Sequence, residues 1–153
     1  FELLIGAIRT IRNLRAELEI KPSMKIAVML QSQSDREREV LQRGQAYIQN
    51  LAKVDSFTLT DILEEEPGQT IAGVVGTVQV LIPLAGVVDI GEIRAKIEKR
   101  LAKAQGEVNS YAGRLSNANF VNKAPEAVVE GARAALAEAE TQVAMLQNRL
   151  SRL

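Results

Sequence analysis

The chain has 153 residues, with 19 basic and 19 acidic side chains and neither cysteine nor histidine. This composition excludes disulfides, thiolate or imidazole metal sites and imidazole acid–base catalysis. A net charge of zero excludes strong global attraction to nucleic acid or to a membrane surface, although a local patch of one sign is compatible with it. Aromatic residues make up only 3% of the chain, so the core must be aliphatic.

The sequence contains no candidate membrane span, because no stretch reaches the roughly 18–20 unbroken apolar residues that a spanning helix needs. Its start also lacks the basic and then apolar pattern of a signal peptide. The chain begins with Phe1 inside a helical pattern rather than with methionine. We therefore expect it to be a piece of a longer protein.

Residues 1–18 form the first predicted helix, since their apolar residues recur at helical spacing. Arginines recur every three residues along this helix, at Arg9, Arg12 and Arg15. They form either intramolecular ion pairs or an RNA-facing edge, and the sequence leaves both interpretations open. Pro22 ends the helix, because the residue before a proline is pushed toward extended conformations.

The next segments alternate between strand and helix patterns. They predict a strand over 24–31, a helix of about four turns ending near residue 51, a strand over 54–60 and a β-rich segment over 70–84. Ser34 or Asp35 is expected to cap the helix, and Gly76 to divide the last segment or mark a bulge. The predicted fold class is α+β, with a small mixed or antiparallel sheet and helices on one face.

Residues 89–153 contain no strand pattern and predict a long antiparallel two-helix coiled-coil arm. Apolar residues recur at spacings of three and four in two long stretches separated by Pro125, as coiled-coil helices require. The polar joining segment 116–124 contains the turn-forming Asn117, and Phe120 adds an apolar plug. The two apolar series, here called the seam, are Ile90, Ile93, Ile97, Leu101, Ala104, Val108, Tyr111 and Leu115, and Val129, Ala132, Leu136, Ala139, Val143, Leu146, Leu150 and Leu153.

No residue pattern indicates catalysis. Gly73 and Gly76 lack the spacing and the following lysine of a phosphate-cradling loop, and the carboxylates fall mostly on helix exteriors. The acidic run over 64–66 indicates a solvated loop, with a divalent cation site as the alternative. No catalytic residue, cofactor or metal site is therefore predicted.

Cations on the first arm helix form a candidate nucleic-acid-binding surface, here called the arm cations. They are Lys96, Lys99, Arg100, Lys103 and Arg114. Their spacing places them on one outward face, where a ridge of cations would follow a phosphate backbone. The alternative is an ordinary solvated coiled-coil exterior, since Glu92 and Glu107 interrupt the same face.

Three blocks of sequence carry a family resemblance: residues 11–23 (IRNLRAELEIKPS), 76–89 (GTVQVLIPLAGVVD) and 114–129 (RLSNANFVNKAPEAVV). The third is the most specific, because it holds a Leu-x-Asn-x-x-Phe-x-x-x-Ala-Pro turn from Leu115 to Pro125. In this order they resemble the C-terminal region of bacterial-type valyl-tRNA synthetases, which are class I aminoacyl-tRNA synthetases. The resemblance covers essentially the whole chain.

The resemblance implies a non-catalytic segment of an ATP-dependent valine–tRNA ligase whose catalytic and editing domains lie outside this chain. Residues 1–20 would be the terminal helix of the anticodon-binding bundle, residues 21–88 a small α/β domain, and residues 89–153 the C-terminal tRNA-binding arm. The arm would contact the outer corner of tRNA through phosphate and shape recognition. The implied contact residues are the arm cations with Arg12 and Arg15, while Asn117, Phe120 and Pro125 would form the hairpin turn.

The implied partners are tRNA, valine-accepting in the full enzyme, and the remaining domains of the synthetase. The resemblance further implies a cytoplasmic monomer without a cofactor or a membrane partner. An alternative from another class is a coiled-coil protein–protein interaction module, in which the seam pairs with a second chain. A free-standing paralogue that binds tRNA in trans is a third possibility.

Overall fold

The computed structural model of the protein describes residues 1–62 and 68–153. Contacts divide the chain into two compact units, the first made of Phe1–Ile90 with Arg152–Leu153 and the second of Gly91–Ser151. The first unit holds a sheet and shorter helices, and the second holds two long helices. The acidic run over residues 64–66, with its predicted solvated loop or cation site, lies outside the described residues.

The first unit is built on a four-stranded mixed sheet with strand order β2-β1-β4-β3. Its elements are α1 (Glu2–Glu17), β1 (Ile26–Gln31), α2 (Asp35–Arg43), α3 (Gln45–Leu51), β2 (Val54–Thr60), β3 (Thr70–Val75) and β4 (Val78–Pro83). β1 and β2 are parallel, whereas β4 is antiparallel to both β1 and β3. The predicted α+β fold with a mixed sheet is confirmed.

One face of the sheet carries the aliphatic core of the first unit. Its buried residues on the two central strands are Ile26, Val28, Leu30, Val78, Val80 and Ile82. Helix α1 packs on β3 at this face, where Gly73 lies opposite the buried Val80 in the ladder. A Cβ atom on Gly73 would lie 2.8 Å from Cγ2 of Thr10 and 3.3 Å from Cδ1 of Leu14. Glycine is therefore required where the helix crosses the strand.

The single helix predicted up to residue 51 is wrong, because α2 and α3 are separated at Gly44. Gly44 is buried, and a Cβ atom at this position would overlap the side chain of Leu4 from α1. The close approach of α1 requires a residue without a side chain, and glycine weakens a helix at this point. The predicted cap is present, since the Ser34 hydroxyl accepts a hydrogen bond of 3.2 Å from the Glu37 N–H.

A two-residue loop joins β3 to β4, with Val75 paired to Val78. Gly76 has a φ of +59° in this loop, a conformation that side chains disfavour and that tight hairpins need. The predicted division of the β-rich segment at Gly76 is confirmed.

The second unit contains α4 (Ile90–Ser116), α5 (Ala118–Lys123) and α6 (Glu126–Ser151), and the two long helices pack against each other. Every seam position is buried or half-buried, whereas every other residue of α4 is exposed. The joining segment was predicted as a polar turn, but it contains the short helix α5. Asn117 caps α5 by accepting a hydrogen bond of 3.0 Å from the Asn119 N–H, so its side chain starts a helix rather than only a turn.

The guanidinium of Arg15 joins three segments of the first unit. Although charged, this residue is only 7% exposed. Its Nη1 donates to the carbonyl oxygen of Lys53 at 3.3 Å, and its Nη2 donates to those of Lys21 at 2.9 Å and Met24 at 2.7 Å. Burial lowers the pKa of Arg15 below its ordinary value. Arg15 thereby holds the turn after α1 and the turn between α3 and β2 against the end of α1.

Replacing Arg15 by alanine is expected to lower the free energy of unfolding by about 2–4 kcal/mol, because part-buried carbonyls lose a charged donor. Urea unfolding followed by circular dichroism measures this change. Arg9→Ala is the matched control, since Arg9 is exposed on the same helix and should change stability by less than about 0.5 kcal/mol. Equal effects of the two substitutions would contradict the structural role of Arg15.

A second polar cluster connects the end of β1, the start of α2 and the β3–β4 loop. Ser32 is 1% exposed, and its hydroxyl donates to Oε1 of Glu37 at 2.7 Å. The hydroxyl of Thr77 donates to the same carboxylate oxygen. These hydrogen bonds, that from Ser32 first, lower the pKa of the Glu37 carboxyl below its ordinary value.

Glu37 should therefore stabilise the fold in its ionised form. Because its pKa is lower in the folded state, its contribution is complete above the ordinary carboxyl pKa of about 4.3 and is lost as pH falls through the lower folded value. Glu37→Gln should reduce stability at neutral pH and flatten the acid side of the stability–pH curve. Urea midpoints measured between neutral and acid pH test this, with Glu39→Gln on the exposed side of α2 as control. Equal flattening in both variants would disprove the assignment.

Candidate nucleic-acid interface

The arm cations are all exposed on α4, where they run from the edge of its packed face toward the opposite side of the helix. At 3.6 residues per turn, Lys99 lies roughly 160° around the helix axis from the buried Ile97. Within the residues that the structure describes, Lys99, Arg100 and Lys103 form no ion pair. Lys96 is also exposed but has an interaction within the chain. Three cations of the predicted set are therefore available to a ligand anion.

Arg114 lies near the far end of α4 and is held by an aromatic neighbour. Its Cζ is 5.6 Å from the centroid of the Tyr111 ring, within the range of a cation–π contact. Tyr111 itself is a half-buried seam residue, as its position in the apolar series predicts. The contact orders the Arg114 side chain on the helix surface without neutralising its charge.

The cationic face of α4 is not continuous. Glu107 is exposed between Lys103 and Arg114 along the helix, and helical geometry places it within about 40° of both in direction. The face therefore consists of a cluster at Lys96–Lys103 and a separate cation at Arg114. A ligand that follows this face would meet two positive regions rather than one uniform ridge.

The three residues predicted for the hairpin turn lie around α5. Asn117 is its N-terminal cap, and Phe120 is half-buried. Pro125 immediately precedes α6, and Ala124 before it has φ −73° and ψ 151°, the extended backbone that a following proline favours. These residues therefore set the backbone conformation of the segment that joins α4 to α6.

The predicted contact residues of α1 have different environments. Arg12 is exposed, whereas Arg15 is buried and donates its hydrogen bonds to backbone carbonyls. Both line a hollow of about 320 Å³ together with Lys53, which the sequence reasoning did not single out. The local pattern around Lys53 is a helix end followed by a strand, and only the folded chain places this cation beside α1. Arg12 and Arg15 belong to the first unit, and the arm cations belong to the second.

The described part of the chain contains no group of three or more Asp, Glu, His or Cys residues that could hold a metal ion. In the same residues, no helix combines the length and apolar character needed to cross a bilayer.

Comparisons with known proteins show which proteins this chain resembles. The family described as "Valyl tRNA synthetase tRNA binding arm" matches residues 89–153. The whole chain is 52% identical to a valine–tRNA ligase of Synechocystis and covers 17% of that protein. It is 45% identical, again over its whole length, to a valine–tRNA ligase of Thermosynechococcus vestitus and covers 16% of it. Over 99% of the chain it is 34% identical to a valine–tRNA ligase of Syntrophotalea carbinolica and covers 17% of it.

The chain thus spans about a sixth of the length of these curated relatives. Over its whole length it is similar to the C-terminal region of valine–tRNA ligases, and residues 89–153 match the model of the valyl-tRNA synthetase tRNA binding arm family.

Proposed function

We propose that this chain is the non-catalytic C-terminal segment of a valine–tRNA ligase and that its arm binds the outer corner of tRNA. The observation that carries the proposal is the match of residues 89–153 to the tRNA binding arm family. The exposed cations on α4 support it, because they lie on the side of the helix that the seam leaves open. The arm has no catalytic role in this proposal and adds affinity and orientation to aminoacylation.

The chemistry of the face favours phosphate contacts over base recognition. The major groove of duplex RNA is too deep and narrow for side chains to read, so a helix surface recognises such RNA by shape and backbone. Lys99, Arg100 and Lys103 provide flexible and planar donors suited to phosphate oxygens. Contacts of this kind position a protein on RNA and carry no sequence information. Valine identity would then be read by other parts of the ligase.

The remaining segments have proposed roles in the same enzyme. Residues 1–20 would be the terminal helix of the anticodon-binding bundle, and residues 21–88 the small α/β domain between the bundle and the arm. Phe1, which immediately precedes α1, is 86% exposed, and Ile5 on α1 is 41% exposed. An apolar helix face of this kind supports packing against the remaining domains of the synthetase. A role in translation would place the protein in the cytoplasm.

Reversal of single charges tests the arm surface. Lys103→Glu on α4 is expected to weaken binding of a valine-accepting tRNA by about tenfold at about 0.1 M salt and to reduce the salt slope by about one. Fluorescence anisotropy across a salt series measures both quantities. Arg133→Glu is the matched control, because Arg133 is exposed on α6 and the substitution changes the net charge equally.

Circular dichroism must show an unchanged helix content in both variants, which is expected because glutamate is a good helix former. If Arg133→Glu weakens binding as much as Lys103→Glu, only the net charge of the chain matters and the assigned face is wrong. If neither substitution changes the affinity, the arm does not bind tRNA through α4.

We propose further that the chain acts as a monomer, because the seam positions of α4 and α6 are covered within one chain. Static light scattering over a concentration series should give a constant mass near 16.7 kDa. A mass that doubles with concentration would support the alternative of an interaction module, in which helices of two chains exchange.

A further inference from the structure

The hollow beside α1 has an unusual charge. Its cationic lining residues are Arg12, Arg15 and Lys53, and its apolar lining includes Ile20, Pro22 and Leu51. Among the described residues that line it, none is acidic. Its volume of about 320 Å³ is at the lower end of the range for small-molecule sites. The hollow lies entirely within the first unit.

Arg15 contributes a positive charge that no carboxylate of the described residues cancels. Buried charges in proteins are usually paired with an opposite charge, since removing an ion from water is costly. The guanidinium of Arg15 is instead held by three carbonyl oxygens, which are neutral. An anion in the hollow would provide the missing negative charge.

The turn at Lys53, which forms one wall of the hollow, is held in place by hydrogen bonds within the chain. Lys53 has a φ of +55°, which is uncommon for a residue with a side chain. Its carbonyl oxygen is held by Arg15 and by the Ile26 N–H at 3.1 Å, so the turn is tied to α1 and to β1 at once. A strained turn held in this way is a feature of ligand sites as well as of structural turns.

The apolar lining distinguishes among possible anions. Leu51 is 52% exposed beside the cations, and Ile20 is half-buried. A free phosphate would leave this apolar surface open to water, and a glutamate side chain would cover little of it. An unpaired nucleotide has an anionic phosphate and, joined to it through the ribose, a flat base whose face can cover apolar side chains.

We propose that this hollow binds one unpaired nucleotide of an RNA, with the phosphate at Arg12 and Lys53 and the base against Leu51 and Ile20. The proposal rests on the proposed function only in taking RNA as the class of ligand. It assigns the first unit an RNA contact that is separate from the arm cations.

The test uses the full chain and a fluorescein-labelled hexauridylate, with binding followed by anisotropy across a salt series. Lys53→Gly and Arg12→Gln should each weaken binding by about fivefold to tenfold and reduce the salt slope by about 0.7, the value expected for one phosphate contact of a single strand. Glycine suits the positive φ at position 53, so this variant removes the ammonium group without adding strain.

Leu51→Gln should weaken binding by about fivefold without changing the salt slope, because it removes apolar surface that the base would cover and no charge. Arg43→Gln is the control for lost charge, since Arg43 is exposed on α2 and does not line the hollow. It should bind hexauridylate as the unaltered chain does.

The outcomes separate this inference from the proposed function. The Lys103→Glu variant should retain hexauridylate binding, and its effect should be confined to folded tRNA. If Lys103→Glu loses hexauridylate binding while Lys53→Gly and Arg12→Gln keep it, the proposal that the hollow binds a nucleotide is wrong. The proposal for the arm would not be affected by that result. Absence of hexauridylate binding would also overturn it. Equal competition by hexaglutamate would assign the hollow to an acidic protein segment instead.

Discussion

The first unit depends on one buried cation. Arg15 spans three carbonyl oxygens that belong to the turn after α1 and to the turn between α3 and β2. The carbonyl oxygens of Lys21 and Lys53 also accept backbone N–H groups, and a guanidinium is the side chain whose several N–H groups can reach all three carbonyls together. The same contacts bring Lys53 to the edge of a hollow that Arg12 also lines. Arg15 thus both holds the turns of the first unit together and lines the candidate site. Its carbonyl partners are neutral, so its positive charge is not cancelled.

The arm obeys a different constraint, since a pair of helices buries only a narrow strip of surface. Every residue of α4 outside the seam is exposed, so packing places few demands on the outer face. That face carries cations near Lys99 and glycines at Gly106 and Gly113, where an added Cβ would meet no atom within 4 Å. Each exposed glycine costs a helix about 1 kcal/mol relative to alanine. The arm is therefore not built for maximal helix stability.

The helices of the arm could be predicted from the local spacing of apolar residues. In the first unit, the features that the sequence did not predict depend on contacts between residues that are distant in sequence. Spacings of three and four define the seam and also determine which way Lys99 and Lys103 point, because both follow from helix geometry alone. The break at Gly44 depends on Leu4, which is distant in sequence and occupies the space of a side chain. The burial of Arg15 was equally hidden, because the regular spacing of the three arginines of α1 does not distinguish a buried side chain from an exposed one. Its carbonyl partners come from turns whose positions depend on the whole sheet.

The chemistry of the exposed cations has a consequence for the division of labour in a valine–tRNA ligase. All tRNAs share the same phosphate backbone, so contacts to it raise affinity for every tRNA alike. Under the proposed function, selection of the valine-accepting tRNA would come from segments that read bases, and the arm would bind all tRNAs alike. Such an arm needs little affinity of its own, because tethering to the rest of an enzyme raises its effective concentration greatly. In this proposal the zero net charge of the chain would limit non-specific association with other nucleic acids, because the positive charge is confined to a local face.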